Sequence, residues 1–113
     1  MLPPRIPKKP KRSTRWRSQK HCNHVRRHAC SKCHSTAGIE VAHVRIGSGA
    51  GMGQKPDDWN TVSLCKECHQ RQHTIGEVTF WKGVNLEALI EAFQRTSPAY
   101  REIQQAQSER RAA

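Results

Sequence analysis

Acidic and aromatic side chains are both scarce in this 113-residue chain. Nine Asp and Glu stand against 20 Lys and Arg, a formal charge of +11, and there are only three Trp, two Phe and one Tyr. Hydrophobic residues make up 35%, which leaves a marginal core unless something staples it. No apolar run approaches the roughly eighteen residues of a membrane span, so no membrane partner is expected. The opening Met1-Leu-Pro-Pro-Arg-Ile-Pro-Lys-Lys-Pro10 lacks the apolar stretch of a secretory signal. The five cysteines are an odd number, four of them in two CxxC pairs. Together these point to a reducing, cytoplasmic setting and to metal rather than disulfides.

The positive charge is concentrated at one end. Residues 1–20 hold eight Lys or Arg, no acid and four of the six prolines. A proline-broken, like-charged run does not fold alone, so residues 1–17 are expected to form a disordered basic arm. Its charge suits a polyanion. Arg12, Arg15 and Arg17 are candidate phosphate contacts, and Trp16 either stacks on a base or packs where the first helix begins. A solubility tail is the plainer alternative.

All seven His and all five Cys fall between positions 21 and 73, which locates the chemistry. Ser18 is placed to cap a short helix through about Arg27, with Cys22 and Val25 as its apolar stripe and Arg26 and Arg27 exposed. Residues 39–46 are β-branched enough for a strand. Alternation separates Glu40, Ala42, Val44 and Ile46 from Ile39, Val41, His43 and Arg45. A glycine-rich loop, 47–53, leads through Lys55 to a second strand at 61–64 and a helix from Cys65 to about Gly76. Asn85 caps an amphipathic helix bearing Leu86, Leu89, Ile90 and Phe93. Ser97-Pro98 ends it, and 99–110 forms at most a weakly held helix. The remaining histidines, His21, His24, His28 and His34, are expected at the surface.

Cys30-x2-Cys33 and Cys65-x2-Cys68 can bring four thiolates around one structural Zn²⁺, whose binding would drive folding of so small a core. The alternative is redox or unpaired thiols. His69 and His73, four apart on one helix, share a face and can hold a second metal with open positions. His43 on a strand and Asn60 in a turn are not needed by the zinc.

This set resembles the HNH, or ββα-metal, endonucleases, and more narrowly the recombination-enhancement-type proteins of phages and prophages. The motif elements are Cys30-x-x-Cys33, Ala42-His43, Asn60-x4-Cys65-x-x-Cys68, His69 and His73, over residues of about 18–82. The resemblance implies a small α+β, zinc-stapled ββα-metal core, followed by a C-terminal helical extension, 83–113, packed on it. It implies His43 as general base, Asn60 as the residue that holds the first strand, and His69 and His73 as ligands of a catalytic Mg²⁺, Mn²⁺ or Zn²⁺. It further implies a phage- or prophage-encoded enzyme of a bacterial host that cleaves single- or double-stranded DNA in recombination or processing. Arg26, Arg27, Arg45 and Lys55 join the arm as nucleic-acid contacts. One departure stands out: the family places Asp or His before the base, and here that position is Ala42. Glu40, Asp57, Asp58 or water would have to supply the ligand. The competing readings are a non-catalytic zinc module that binds nucleic acid by charge, and a protein-interaction zinc finger.

Overall fold

In the computed structural model residues 15–51 and 53–112 are described. The expectations for residues 1–14, Arg12 among them, lie outside that range. The fold is a small α+β unit built around one antiparallel hairpin. Helix α1 spans Gln19–Arg26, β1 Ile39–His43, β2 Thr61–Cys65, α2 Lys66–Ile75, α3 Glu77–Phe80, α4 Leu86–Thr96 and α5 Tyr100–Ala112.

The start of α1 follows from Ser18, whose side chain accepts from the His21 N–H at 3.2 Å. One face of the helix, His21, Cys22 and Val25, is buried. His21 was expected at the surface and is instead fully buried, because it lies one turn before Val25 on the same stripe. The strands pair from Ile39↔Cys65 to His43↔Thr61. Ala42 and Val44 are completely buried, while Ile39, Val41 and His43 are half-buried. The first strand stops at His43 rather than 46 for a visible reason. The Asn60 side chain takes the Val44 carbonyl, and the Glu77 carboxylate takes the N–H groups of Arg45 and Ile46.

Residues 56–65 are buried without a break. Strand β2 is covered by α1, α2 and α4. The core joins Val25, Val44, Val62 and Leu64 to Phe80, Trp81, Ile90 and Phe93. Helix α4 begins at the expected cap, where Asn85 Oδ1 accepts from Ala88 N. The short α3, unforeseen, fills the corner after Gly76 and buries Phe80.

A second apolar cluster lies at the far side of the turn before β2. Trp59 packs with Ala99 and Ile103, and Trp16 stacks on Trp59 with ring centroids 5.4 Å apart. Trp16 is therefore committed to a protein ring where base stacking was one expectation. Helix α5, expected to be weakly held, is instead a 13-residue helix anchored by Ile103. Its Arg110 reaches the Asp57 carboxylate at 2.6 Å and lies 4.9 Å from the Trp59 ring. Residues 15–17 belong to this folded body. Arg15 bonds Asp57, Gln54 and the carbonyls of Ser48 and Gly49. Arg17 bonds Asp58 and the carbonyls of Lys55 and Pro56. Among the described residues, no helix is long and apolar enough to cross a membrane.

Candidate metal centre and cleft

The two CxxC segments meet at the end of the hairpin. Cys30 and Cys33 precede β1, Cys65 ends β2, and Cys68 lies in the first turn of α2. Their four Sγ atoms all fall within 4.8 Å of one another, and Cys33 and Cys65 are 3.6 Å apart. Zn–S bonds of about 2.3 Å in a tetrahedron put sulfurs about 3.8 Å apart, so the cluster has the size of a Zn²⁺ cage. Each segment closes on itself as Cys33 N approaches Cys30 Sγ and Cys68 N approaches Cys65 Sγ, both at 3.5 Å. Burial opposes charge on Cys30, but N–H groups of Cys33, Cys65 and Lys32 bring its thiol down to about 6. Burial and the neighbouring thiols push Cys68 up. Thiols crowded in this way cannot all ionise without a cation between them. The four cysteines thus form a structural Zn²⁺ site by donor set and spacing. His34, directly after Cys33, is exposed and adopts a left-handed φ of 65°, which glycine would hold with less strain.

A cleft of about 910 Å³ opens between α1, β1 and α2. It gathers His43, His69 and His73 with Arg17, Arg26, Arg45 and Lys55. The sequence-derived candidates from three separate elements therefore share one concavity, whose acids are Glu40, Asp58 and Glu77. His43 Nε2 lies 2.8 Å from Asp58 Oδ1. Burial would raise the Asp58 pKa, but hydrogen bonds from His43 and the Ser18 N–H, with the charges of His43 and Arg17, hold it down at about 2. On α2, the His69 and His73 rings are 5.0 Å apart, and His69 Nδ1 lies 2.9 Å from Glu40 Oε1. A carboxylate only accepts, so that bond leaves His69 Nε2 free for a cation. Among the described residues, only the cysteine quartet brings three or more ligand atoms within 4.8 Å.

The three residues considered as substitutes for the ligand missing at Ala42 separate cleanly. Asp57 is buried against Arg15, Arg110 and Trp16 N. Asp58 is engaged by His43, Arg17 and Ser18 N. Glu40 alone stands beside the α2 histidines.

Asn60 is buried behind β1 and not in the cleft, donating to the carbonyls of Val44 and Ile46. Arg27 caps the end of α1 and does not line the cleft. Arg15 lies behind the glycine loop, its guanidinium taken by protein acceptors. Sequence reasoning missed Glu77, which fixes the chain leaving β1, and treated Asp58 only as a possible ligand. The Asp58-Trp-Asn60 triplet was the available signal, since its outer members bracket the turn that reaches both His43 and the strand behind it. His21, expected at the surface, bonds Ser97 Oγ at 2.8 Å; burial, then repulsion from His24, lowers its pKa to about 4 against the pull of Asp58.

Neither a curated protein nor a solved structure matches the chain. A protein family does match, over residues 3–97, a span that contains both CxxC segments, the hairpin and every histidine of the cleft. The chain belongs to that family, which is described as a protein of unknown function, DUF968.

Proposed function

We propose that this protein is a metal-dependent DNA endonuclease of the HNH type, of phage or prophage origin and acting in DNA recombination or processing. The observation that carries the reading is the convergence of His43 from β1 with His69 and His73 from α2 in one basic-edged cleft, directly beside the zinc-type cysteine cage. Phosphodiester hydrolysis needs a base for the attacking water and positive charge for the phosphate. A neutral imidazole suits the first task, since its lone pair can take a proton from water. Arg26, Arg45 and Lys55 along the cleft can hold the backbone phosphates, whereas the Arg17 guanidinium is taken by Asp58 and the carbonyls of Lys55 and Pro56.

A divalent cation such as Mg²⁺, Mn²⁺ or Zn²⁺ bound by His69 and His73 would supply Lewis-acid stabilisation of the phosphate and of the leaving oxygen. His43 takes a proton from water as the water oxygen bonds to phosphorus. The bond from phosphorus to the 3′-oxygen breaks, and that oxygen takes a proton from solvent. The products are 5′-phosphate and 3′-hydroxyl ends. Asn60 keeps the end of β1 in place, and Glu40 keeps His69 oriented.

The test is nicking of supercoiled plasmid and of single-stranded DNA with Mg²⁺, Mn²⁺ or Zn²⁺, comparing wild type with His43→Ala. Wild type should nick, and the variant should lose 10²-fold or more, about 3 kcal/mol of barrier, while DNA binding persists. Intact plasmid under every cation, with salt-sensitive binding retained, would favour a non-catalytic nucleic-acid-binding module. That second reading draws on the same basic rim and on the absence of a ligand at Ala42.

A further inference from the structure

We infer that Asp58 is the positioning residue of His43, fixing the imidazole as the Nε2–H tautomer so that Nδ1 is the nitrogen that accepts the proton from water. The inference rests on the nuclease reading of the cleft, and it is carried by how the carboxylate is held.

Asp58 is 6% exposed and is gripped from three sides. Its Oδ2 accepts from the Ser18 N–H at 2.8 Å, its Oδ1 faces Arg17 Nη1 at 3.3 Å, and the same Oδ1 faces His43 Nε2 at 2.8 Å. Its main chain is pinned as well. Asp58 N donates to the Trp16 carbonyl at 3.0 Å, and Thr61 Oγ1 donates to the Asp58 carbonyl at 2.8 Å. An ionised carboxylate accepts and never donates, so the proton between the two residues belongs to Nε2. A neutral imidazole has one N–H, and placing it there leaves Nδ1 with the lone pair.

The neighbouring thiol does not compete. Cys22 is buried, and burial followed by the charge of Asp58 pushes its pKa up to about 11, so it stays neutral beside the pair. The pairing also explains why an acid sits in a cleft read as binding phosphates. Its charge faces the imidazole, Arg17 and a backbone N–H rather than open solvent.

Two measurements test this, and the first needs no activity. Long-range ¹H–¹⁵N correlation spectra of the zinc-loaded protein above pH 7.5 should show His43 as the Nε2–H tautomer. An Nδ1–H form, or an even mixture, overturns the inference whether or not the protein cuts DNA. Failure of wild type to nick under any cation would sink the nuclease reading instead, leaving the tautomer to stand on the spectrum. The second measurement is Asp58→Asn, with Asp58→Glu beside it. The amide can turn its NH₂ toward Nε2 and stabilise the wrong tautomer. The nicking kcat should then fall by roughly 10²–10⁴, KM should stay within about threefold, and the His43 spectrum should move toward Nδ1–H. Asp58→Glu should recover part of the rate. Wild-type kcat and an unmoved spectrum in a folded Asp58→Asn protein would refute the assignment. If that variant does not fold, the wild-type spectrum and the Asp58→Glu rate decide.

Discussion

Replacing Asp57 with Asn changes one oxygen for an NH₂ group and should weaken the fold far more than its size suggests. Asp57 is 1% exposed. Its Oδ1 accepts from the Trp16 N–H at 2.7 Å, and its Oδ2 receives Arg110 at 2.6 Å and Arg15 at 3.3 Å. In the variant the amide oxygen can keep the Trp16 bond. The NH₂ group then faces two guanidinium groups, donor against donor. Removing one partner of a buried ion pair costs about 3–5 kcal/mol. Here the arginines keep some water, with side-chain exposures of 35% for Arg110 and 16% for Arg15, so the expected loss is about 2–4 kcal/mol. For a domain of roughly this size each kcal/mol moves Tm by about 4–8 °C, so the melt should fall by about 8–32 °C. Arg110→Met removes the guanidinium that lies over Trp59 but leaves Arg15 on the carboxylate, and should cost less, about 1–3 kcal/mol. The double variant should cost clearly less than the sum. Urea titration of the zinc-loaded protein at pH 7 reads all three. An Asp57→Asn protein that unfolds within about 0.5 kcal/mol of wild type, or a strictly additive cycle, refutes the claim that this carboxylate ties both arginines to the turn.

The remaining expectations follow from other parts of the molecule. The purified protein should carry one tightly bound zinc ion per chain, and Cys65→Ser or strong chelation should abolish cooperative unfolding by circular dichroism. Retained cooperative folding without metal would contradict the cage. His21 should remain neutral in an NMR titration until the pH falls well below 6.5, toward its lowered value of about 4. Because the unfolded chain binds that proton first, His21 should make stability decline as pH drops through the interval between the two values, and His21→Asn should flatten that part of the urea-stability profile. His34→Gly should raise stability by about 0.5–1 kcal/mol, since His34 holds a φ of 65° that glycine adopts freely. An unchanged denaturation midpoint would argue against strain there.

The elements legible in the sequence were those with local causes. Ser18 and Asn85 cap the helices that follow them through their own side chains, and each CxxC spacing brings its own two sulfurs together, the pairing of Ile39 with Cys65 then joining the two pairs. The cleft was legible for the same reason, because β1 and α2 are each set by local pattern and both begin beside the cage. What escaped depends on distant partners. Arg15 and Arg17 read as members of a solvated charge run because Asp57 and Asp58 lie about forty positions away. Helix α5 is polar almost throughout, and its order comes from Ile103 and from Arg110 meeting Asp57 and Trp59. Strand β1 ended early because Asn60 and Glu77, neither adjacent in sequence, take over its backbone groups. For His43 the residue was legible and its partner was not, since nothing in the spacing tells which of two adjacent aspartates turns toward the imidazole.

The adjacency of Cys68 and His69 gives the molecule an uneven tolerance to insertion. Successive positions on an α-helix differ by about 100° around the axis. One residue inserted between them would keep the spacing within each CxxC pair but swing both α2 imidazoles to another side of the helix, and it would pull the buried Gln72 away from the Trp81 indole, so the cleft and the packing behind it would be lost together. A residue added to the glycine-rich loop leaves the strands and helices in register and should be tolerated far better, at the cost of contacts such as those Arg15 makes with the Ser48 and Gly49 carbonyls.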